Sequence, residues 1–155
     1  MIILQLFSAF LGTIAFSILF NVRTRYFISC GITGTFGWFV YLLAYHLSSG
    51  KMISNFLAAV IVISLSRIFA VIKHCPITIF LIPGIFPLVP GAGIYYTAYE
   101  LTQCNFDRAL NYGIDTFQTA VAIALAISIV ISLPSKVFKI VGDLMKNLKC
   151  YDRTY

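Results

Sequence analysis

The sequence predicts an all-α integral membrane protein with about five transmembrane helices, the fourth discontinuous at a Pro/Gly-rich break. Three observations carry this. Of the 155 residues, 60% are apolar and only 10% charged, whereas a soluble domain carries about a quarter charged residues to wet its surface. The apolar residues gather into runs near the roughly 20 residues that a helix needs to cross about 30 Å of hydrocarbon. One run differs from the rest in holding Pro83, Pro87 and Pro90. The expected organisation is a transmembrane helical domain over residues 1–134, with no room for a sizeable soluble domain, and a basic tail over 135–155.

The first run, 2–20, lacks the positive leader and small-residue cleavage site of a secretory signal, so it reads as a retained span. Gln5, Ser8, Gly12 and Ala15 recur at helical steps along it, and this small, polar stripe is expected to face protein. The second run, 27–47, holds Gly31, Gly34 and Gly37. No strand or polar company accompanies these glycines, so they suit close helix approach rather than phosphate binding. Trp38, Tyr41 and Tyr45 lie toward its far end, where Tyr45 suits an aromatic belt. The third run, 52–72, carries a small, polar patch of Asn55, Ala58 and Ala59. Arg67, near its end, fits a snorkelling interface residue or a substrate-binding cation.

The fourth run, 77–101, is interrupted. Between Pro83 and Gly93 stand three prolines and three glycines. Each interior proline removes a backbone donor and clashes with the preceding turn, at about 3 kcal/mol. Carbonyls freed in this way must be buried in protein or line a wet cavity, because hydrocarbon cannot satisfy them. The run resumes with Tyr95, Tyr96, Tyr99 and Glu100 on neighbouring helical positions. A polar stretch, Thr102 to Gly113, leads to the last run, 114–133. There Asp115 and Gln118 begin a face that Ala122 and Ala126 continue as a small-residue seam, and Pro134 ends it.

The net charge of +6 comes from basic residues scattered at segment ends. That placement suits membrane insertion and contact with anionic lipid headgroups, and it argues against nucleic-acid binding, which needs a basic face with stacking aromatics. With five spans, Arg23, Arg25, Lys73 and the basic tail share one side, and only Lys51 and the mixed Asp107–Arg108 segment fall on the other. The positive-inside rule then expects the N-terminus outside and the C-terminus in the cytoplasm of a multi-pass cell-membrane protein.

Cys30, Cys75, Cys104 and Cys150 form no close pair and match no zinc, redox or iron–sulfur spacing. His46 and His74 stand singly near segment ends and read as interfacial. No metal and no cofactor is expected. No paired carboxylates, HExxH or nucleophile elbow appears, which weighs against an enzyme.

The break carries the functional expectation. Secondary transporters place substrate at discontinuous helices, where half-helix N-termini present N–H groups to anions and unwound carbonyls hold cations. On that reading Pro83, Gly84, Pro87, Leu88, Val89, Pro90, Gly91, Tyr95, Tyr96 and Tyr99 line the substrate pathway. Glu100 and Asp115 are candidate proton-coupling carboxyls, though each also fits a wet interfacial residue, and Gln118 and Arg67 are further polar candidates. The alternative is a non-transporting assembly or scaffold subunit.

Ile82-Pro83-Gly84-Ile85-Phe86-Pro87-Leu88-Val89-Pro90-Gly91, followed by Tyr95 and Tyr96, resembles the PGI-x-PLVPG motif of the threonine/serine exporter (ThrE) family. Phe20-Asn21-Val22-Arg23 is similar to the turn after the first helix of its small-subunit members. The resemblance covers nearly the whole chain and falls on Pro83, Gly84, Pro87, Leu88, Val89, Pro90 and Gly91; Asp115 lies outside its motifs. It implies a proton-driven exporter of small hydrophilic metabolites, either threonine and serine or a dicarboxylate such as succinate. It further implies a larger membrane subunit of the same family as partner, and it leaves room for a homo-oligomer.

Overall fold

The computed structural model describes residues 2–47 and 50–133. The tail expected over 135–155 lies outside the described residues. In order, the elements are α1 (Ile2–Leu19), a 3-10 turn (Thr24–Tyr26), α2 (Phe27–His46), α3 (Lys51–Lys73), α4 (Thr78–Ile85), a second 3-10 turn (Phe86–Leu88), α5 (Gly91–Thr102) and α6 (Phe106–Ser132). There is no strand among the described residues. Helices α1, α2, α3 and α6 are each long and apolar enough to cross a membrane. Thr78–Leu88 and Gly91–Thr102 pass the same test only as a pair, bent by 48°. The protein is therefore an all-α membrane protein.

Helix α2 packs against α1 and α3, α3 against α6, α4 against both α2 and α3, and α5 against α6. Helices α3 and α6 run parallel. Lys51 at the start of α3 meets Asp115 early in α6, while Arg67 near the end of α3 reaches the carbonyls of Val130, Ile131 and Leu133. Their shared core is built from Ala58, Ala59, Val62 and Ile63 on one side and Ile123, Ala126 and Val130 on the other, with Leu88 inserted from the second 3-10 turn. Small side chains at this seam let the backbones approach, which maximises dispersion contact where lipid supplies no hydrophobic driving force. A second cluster, Tyr26, Cys30 and Phe80, joins α2 to α4 near the other end.

The hydroxyls buried in these helices are satisfied locally. Thr13, Ser17, Thr33 and Ser66 each donate to the carbonyl four residues back, so none needs water inside the bundle. The glycines of α2 do what an apolar helix asks of them. A Cβ at Gly34 would overlap Thr13 of α1, and one at Gly37 would overlap Val62 of α3.

Two details depart from the pattern read along the chain. On α1 the residues buried against the bundle are Thr13 and Ser17. Gln5, Ser8 and Gly12 instead line a groove beside Trp38, Phe86 and Pro87. Phe16 stacks on Phe86 of the second 3-10 turn beside it. On α6 the helix already starts at Phe106, so most of the polar stretch before Ile114 is helical. Antiparallel packing on α5 supports it: Tyr96 stacks on Tyr112 at 5.5 Å. At 27 residues, α6 is about 40 Å long at about 1.5 Å per residue, which carries its start well past that of α3.

Candidate functional site

The interruption in the fourth crossing is built bond by bond. Pro83 lies inside α4 without ending it. Its missing N–H strands the Ile79 carbonyl, and the Cys30 thiol of α2 donates to that oxygen at 3.4 Å. Phe86 N–H then reaches back to Pro83, tightening the chain into a 3-10 turn. Pro87 sits in the first positions of that turn, where no donor is required of it. The ladder stops at Val89, which is extended (φ −63°, ψ 128°). Pro90 has no N–H to offer, and Gly91 N–H turns back to the Val89 carbonyl at 2.7 Å. Helix α5 starts there, in a new direction.

Beside this break lies a cavity of about 480 Å³. Pro87, Val89, Pro90, Gly91, Ala92 and Gly93 form one wall, Trp38 and Tyr41 of α2 and Lys51 and Asn55 of α3 a second, and Tyr96 of α5 with Tyr112, Asp115, Thr116 and Thr119 of α6 the third. The N-terminus of α5 opens into it, bringing the positive end of the helix dipole. Lys51 Nζ and Asp115 Oδ2 are 3.5 Å apart at its edge, with both side chains more than half exposed. Trp38 packs at a tilt on Tyr41, ring centroids 5.0 Å apart, and its buried Nε1 has no protein hydrogen-bond partner.

The two threonine hydroxyls on the wall have spent their hydrogens on their own helix. Thr116 Oγ1 donates to the Tyr112 carbonyl at 2.6 Å and Thr119 Oγ1 to the Asp115 carbonyl at 2.9 Å. Asn55 Nδ2 donates to the Lys51 carbonyl at 2.8 Å. The two hydroxyls retain acceptor capacity, while Asn55 keeps one amide N–H and its carbonyl oxygen. The arrangement can hold a small polar molecule by one cation, one carboxylate, a helix N-terminus and several acceptors. No set of three His, Cys, Asp or Glu side chains suited to a metal ion occurs among the described residues.

A family model described as "Threonine/Serine exporter, ThrE" matches residues 5–133. The chain belongs to the threonine/serine exporter (ThrE) family. No curated protein and no solved structure matches it. The matched region of this ThrE-family chain takes in the break and the whole wall of the cavity. ThrE is a transporter family, and with apolar helices of spanning length the chain is a membrane transport protein.

Of the ThrE-family chain's candidate residues, Pro87, Val89, Pro90, Gly91, Tyr96 and Asp115 meet at this cavity. Pro83 faces a separate cavity of about 430 Å³ with Asn21, Arg23 and Tyr26. Gly84 packs on Thr33 and Val62, and Leu88 belongs to the core. Tyr95 and Tyr99 stack on each other at 6.2 Å and are exposed, away from the cavity wall. Glu100 accepts from Asn105 Nδ2 at 3.0 Å, at the far end of α5. Gln118 is exposed and off the wall. Arg67 caps the C-terminal carbonyls of α6, at the opposite end of α3 from Lys51.

Trp38, Tyr41, Lys51, Asn55, Tyr112, Thr116 and Thr119 were not among the sequence candidates. A weak signal existed for two of them. Asn55 is an amide in an apolar run, and Thr119 follows Asp115 by four residues, hence on the same helix face. Lys51 and Trp38 gave none, since nothing local says which elements the break will face.

Proposed function

We propose that this chain is the small subunit of a secondary transporter that exports small hydrophilic metabolites, threonine and serine or a dicarboxylate such as succinate, through a pathway lined by the broken fourth crossing. The observation that carries the reading is the cavity at Pro87–Gly93, with Lys51 and Asp115 on its edge. Family membership supports the transport class. The break supports the location, since unwound backbone at membrane depth survives where it lines protein or a wet cavity.

The basic residues favour a cell-membrane orientation with the N-terminus outside and the C-terminus cytoplasmic. Lys51, Asp115 and the cavity then lie toward the outer face, the release side of an exporter. Proton-driven export is antiport, and competition of proton and substrate for one group couples them most directly. Asp115 suits that role as the carboxyl on the cavity wall. A larger membrane subunit of the same family completes the transporter, and α5, which buries no residue of its own, supports a need for such a neighbour. Membrane lipid covers the other apolar faces.

Efflux from cells preloaded with labelled threonine, serine and succinate tests this. Deletion of the chain, or Pro87→Ala at normal expression, is expected to abolish or sharply slow efflux of one substrate class. Unchanged efflux of all of them would sink the transporter reading and leave an assembly role.

A further inference from the structure

Resting on the transporter reading above, we propose that Lys51 and Asp115 form the specificity-determining pair of the cavity. Together they select a compact zwitterion, an α-amino acid with a polar side chain, and reject dicarboxylates.

Charge is the first reason. Among the described residues, Lys51 and Asp115 are the charged side chains on the cavity wall, one of each sign. A zwitterion can take both places of the existing pair at once: its carboxylate goes to Lys51 and the α5 N-terminus, and its ammonium goes to Asp115. No charge is left unpaired at any stage. A dicarboxylate leaves its second carboxylate without a cation and sets like charges facing each other beside Asp115.

The second reason is the looseness of the pair. At 3.5 Å, with side chains 64% and 60% exposed, Lys51 and Asp115 hold each other weakly, because solvent screens exposed ion pairs. Substrate therefore displaces little when it inserts between them. The pair keeps the two charges on station without locking them together.

Hydrogen-bond polarity is the third reason. Thr116 and Thr119 have committed their hydroxyl hydrogens to the carbonyls of Tyr112 and Asp115, so their free lone pairs accept from a ligand. On the same wall the buried Trp38 Nε1–H is a donor with no protein partner. A zwitterion with a side-chain hydroxyl supplies both donors and acceptors, whereas an ionised dicarboxylate supplies acceptors only.

The test is substrate competition for labelled-threonine exchange, which needs no proton gradient, in threonine-preloaded inverted membrane vesicles from cells expressing the full chain at its native locus, with unlabelled serine or succinate as competitor. The intact protein is expected to prefer threonine and serine over succinate. Asp115→Lys gives the cavity two cations and is expected to shift the threonine-to-succinate ratio toward succinate by about tenfold or more. The swap Lys51→Asp with Asp115→Lys keeps one charge of each sign and is expected to restore most of the preference. Where Asp115→Lys fails to accumulate, the near-isosteric Asp115→Asn serves instead, and its ratio is expected to move the same way. Transport of none of these substrates by the intact protein overturns the transporter reading itself. Threonine transport whose ratio is unmoved in Asp115→Lys or Asp115→Asn overturns only the pair. So does a native preference for succinate.

Discussion

The Cys30 thiol of α2 donates a 3.4 Å hydrogen bond to the Ile79 carbonyl of α4, the acceptor that Pro83 leaves stranded four residues on. A neighbouring helix thereby repairs the backbone bond that proline removed. This repair lets α4 run through Pro83 to Ile85 and defers the real break to Val89–Pro90.

Cys30→Ala is expected to destabilise the protein by about 1 kcal/mol, the net worth of a buried hydrogen bond. Cys30→Ser keeps a donor and is expected to lose less. In a Pro83→Ala background the backbone N–H returns to Ile79, so Cys30→Ala should become nearly neutral there. Thermal unfolding of the four variants in detergent closes this cycle, and equal losses in both backgrounds would contradict the repair.

Glycine positions divide by what stands over them. Gly37→Val drives a side chain into Val62, at the junction of α2 and α3, and is expected to cost about 1–3 kcal/mol by overpacking. A Cβ at Gly12 would meet nothing within 4 Å, so Gly12→Ala is expected to change stability by no more than about 0.5 kcal/mol or to stabilise its helix. Expression level and melting temperature read both.

Arg67→Ala removes a guanidinium that donates to three carbonyls at the end of α6. Charge-assisted bonds to these helix-end carbonyls are worth about 2 kcal/mol together. Arg67→Lys is expected to recover only part, since an ammonium lacks the planar fork. Transport per folded molecule is expected to stay unchanged in Arg67→Lys, which a counterflow assay normalised to protein level would show.

Thiol labelling reports topology and burial together. In a Cys150→Ser background, a membrane-impermeant maleimide is expected to label Cys104, which is exposed at the α5–α6 turn, from outside. Cys30 is buried and is expected to resist. Cys75, between α3 and α4, has its thiol pushed up mainly by burial, against lowering by the Tyr26 hydroxyl and nearby Arg25 and Lys73. Thiolate is the reactive form, so its labelling by reagent applied to the cytoplasmic face is expected to be slow at neutral pH and to rise as pH climbs toward the raised value. Exclusive labelling of Cys104 from the cytoplasmic side would reverse the proposed orientation.

Much of the candidate site was legible in the chain, and the illegible part has a single cause. Pro87, Val89, Pro90 and Gly91 announce themselves because proline chemistry is local: a missing N–H is missing in any fold. Asp115 stood out because a carboxylate near an apolar span is expensive. Pro83 shows the limit of local reasoning, since its helix-breaking effect is offset by a thiol on another helix, Cys30, bonded to a carbonyl 49 positions along the chain. Glu100 and Asp115 looked equivalent, yet one bonds Asn105 and the other faces Lys51; only packing separates them.

By itself the sequence determined that this protein lives in a membrane, as helices, with one crossing interrupted. Those follow from charge density, run length and proline content, which depend on neighbours along the chain. The tertiary structure alone decided what the interruption faces. It brought Lys51 and Asn55 of α3, Trp38 and Tyr41 of α2, and Asp115, Thr116 and Thr119 of α6 to one cavity, because α3 and α6 run parallel and α5 is bent away by 48°. Helix direction and register come from small-residue seams between distant segments, which hydrophobic periodicity does not encode.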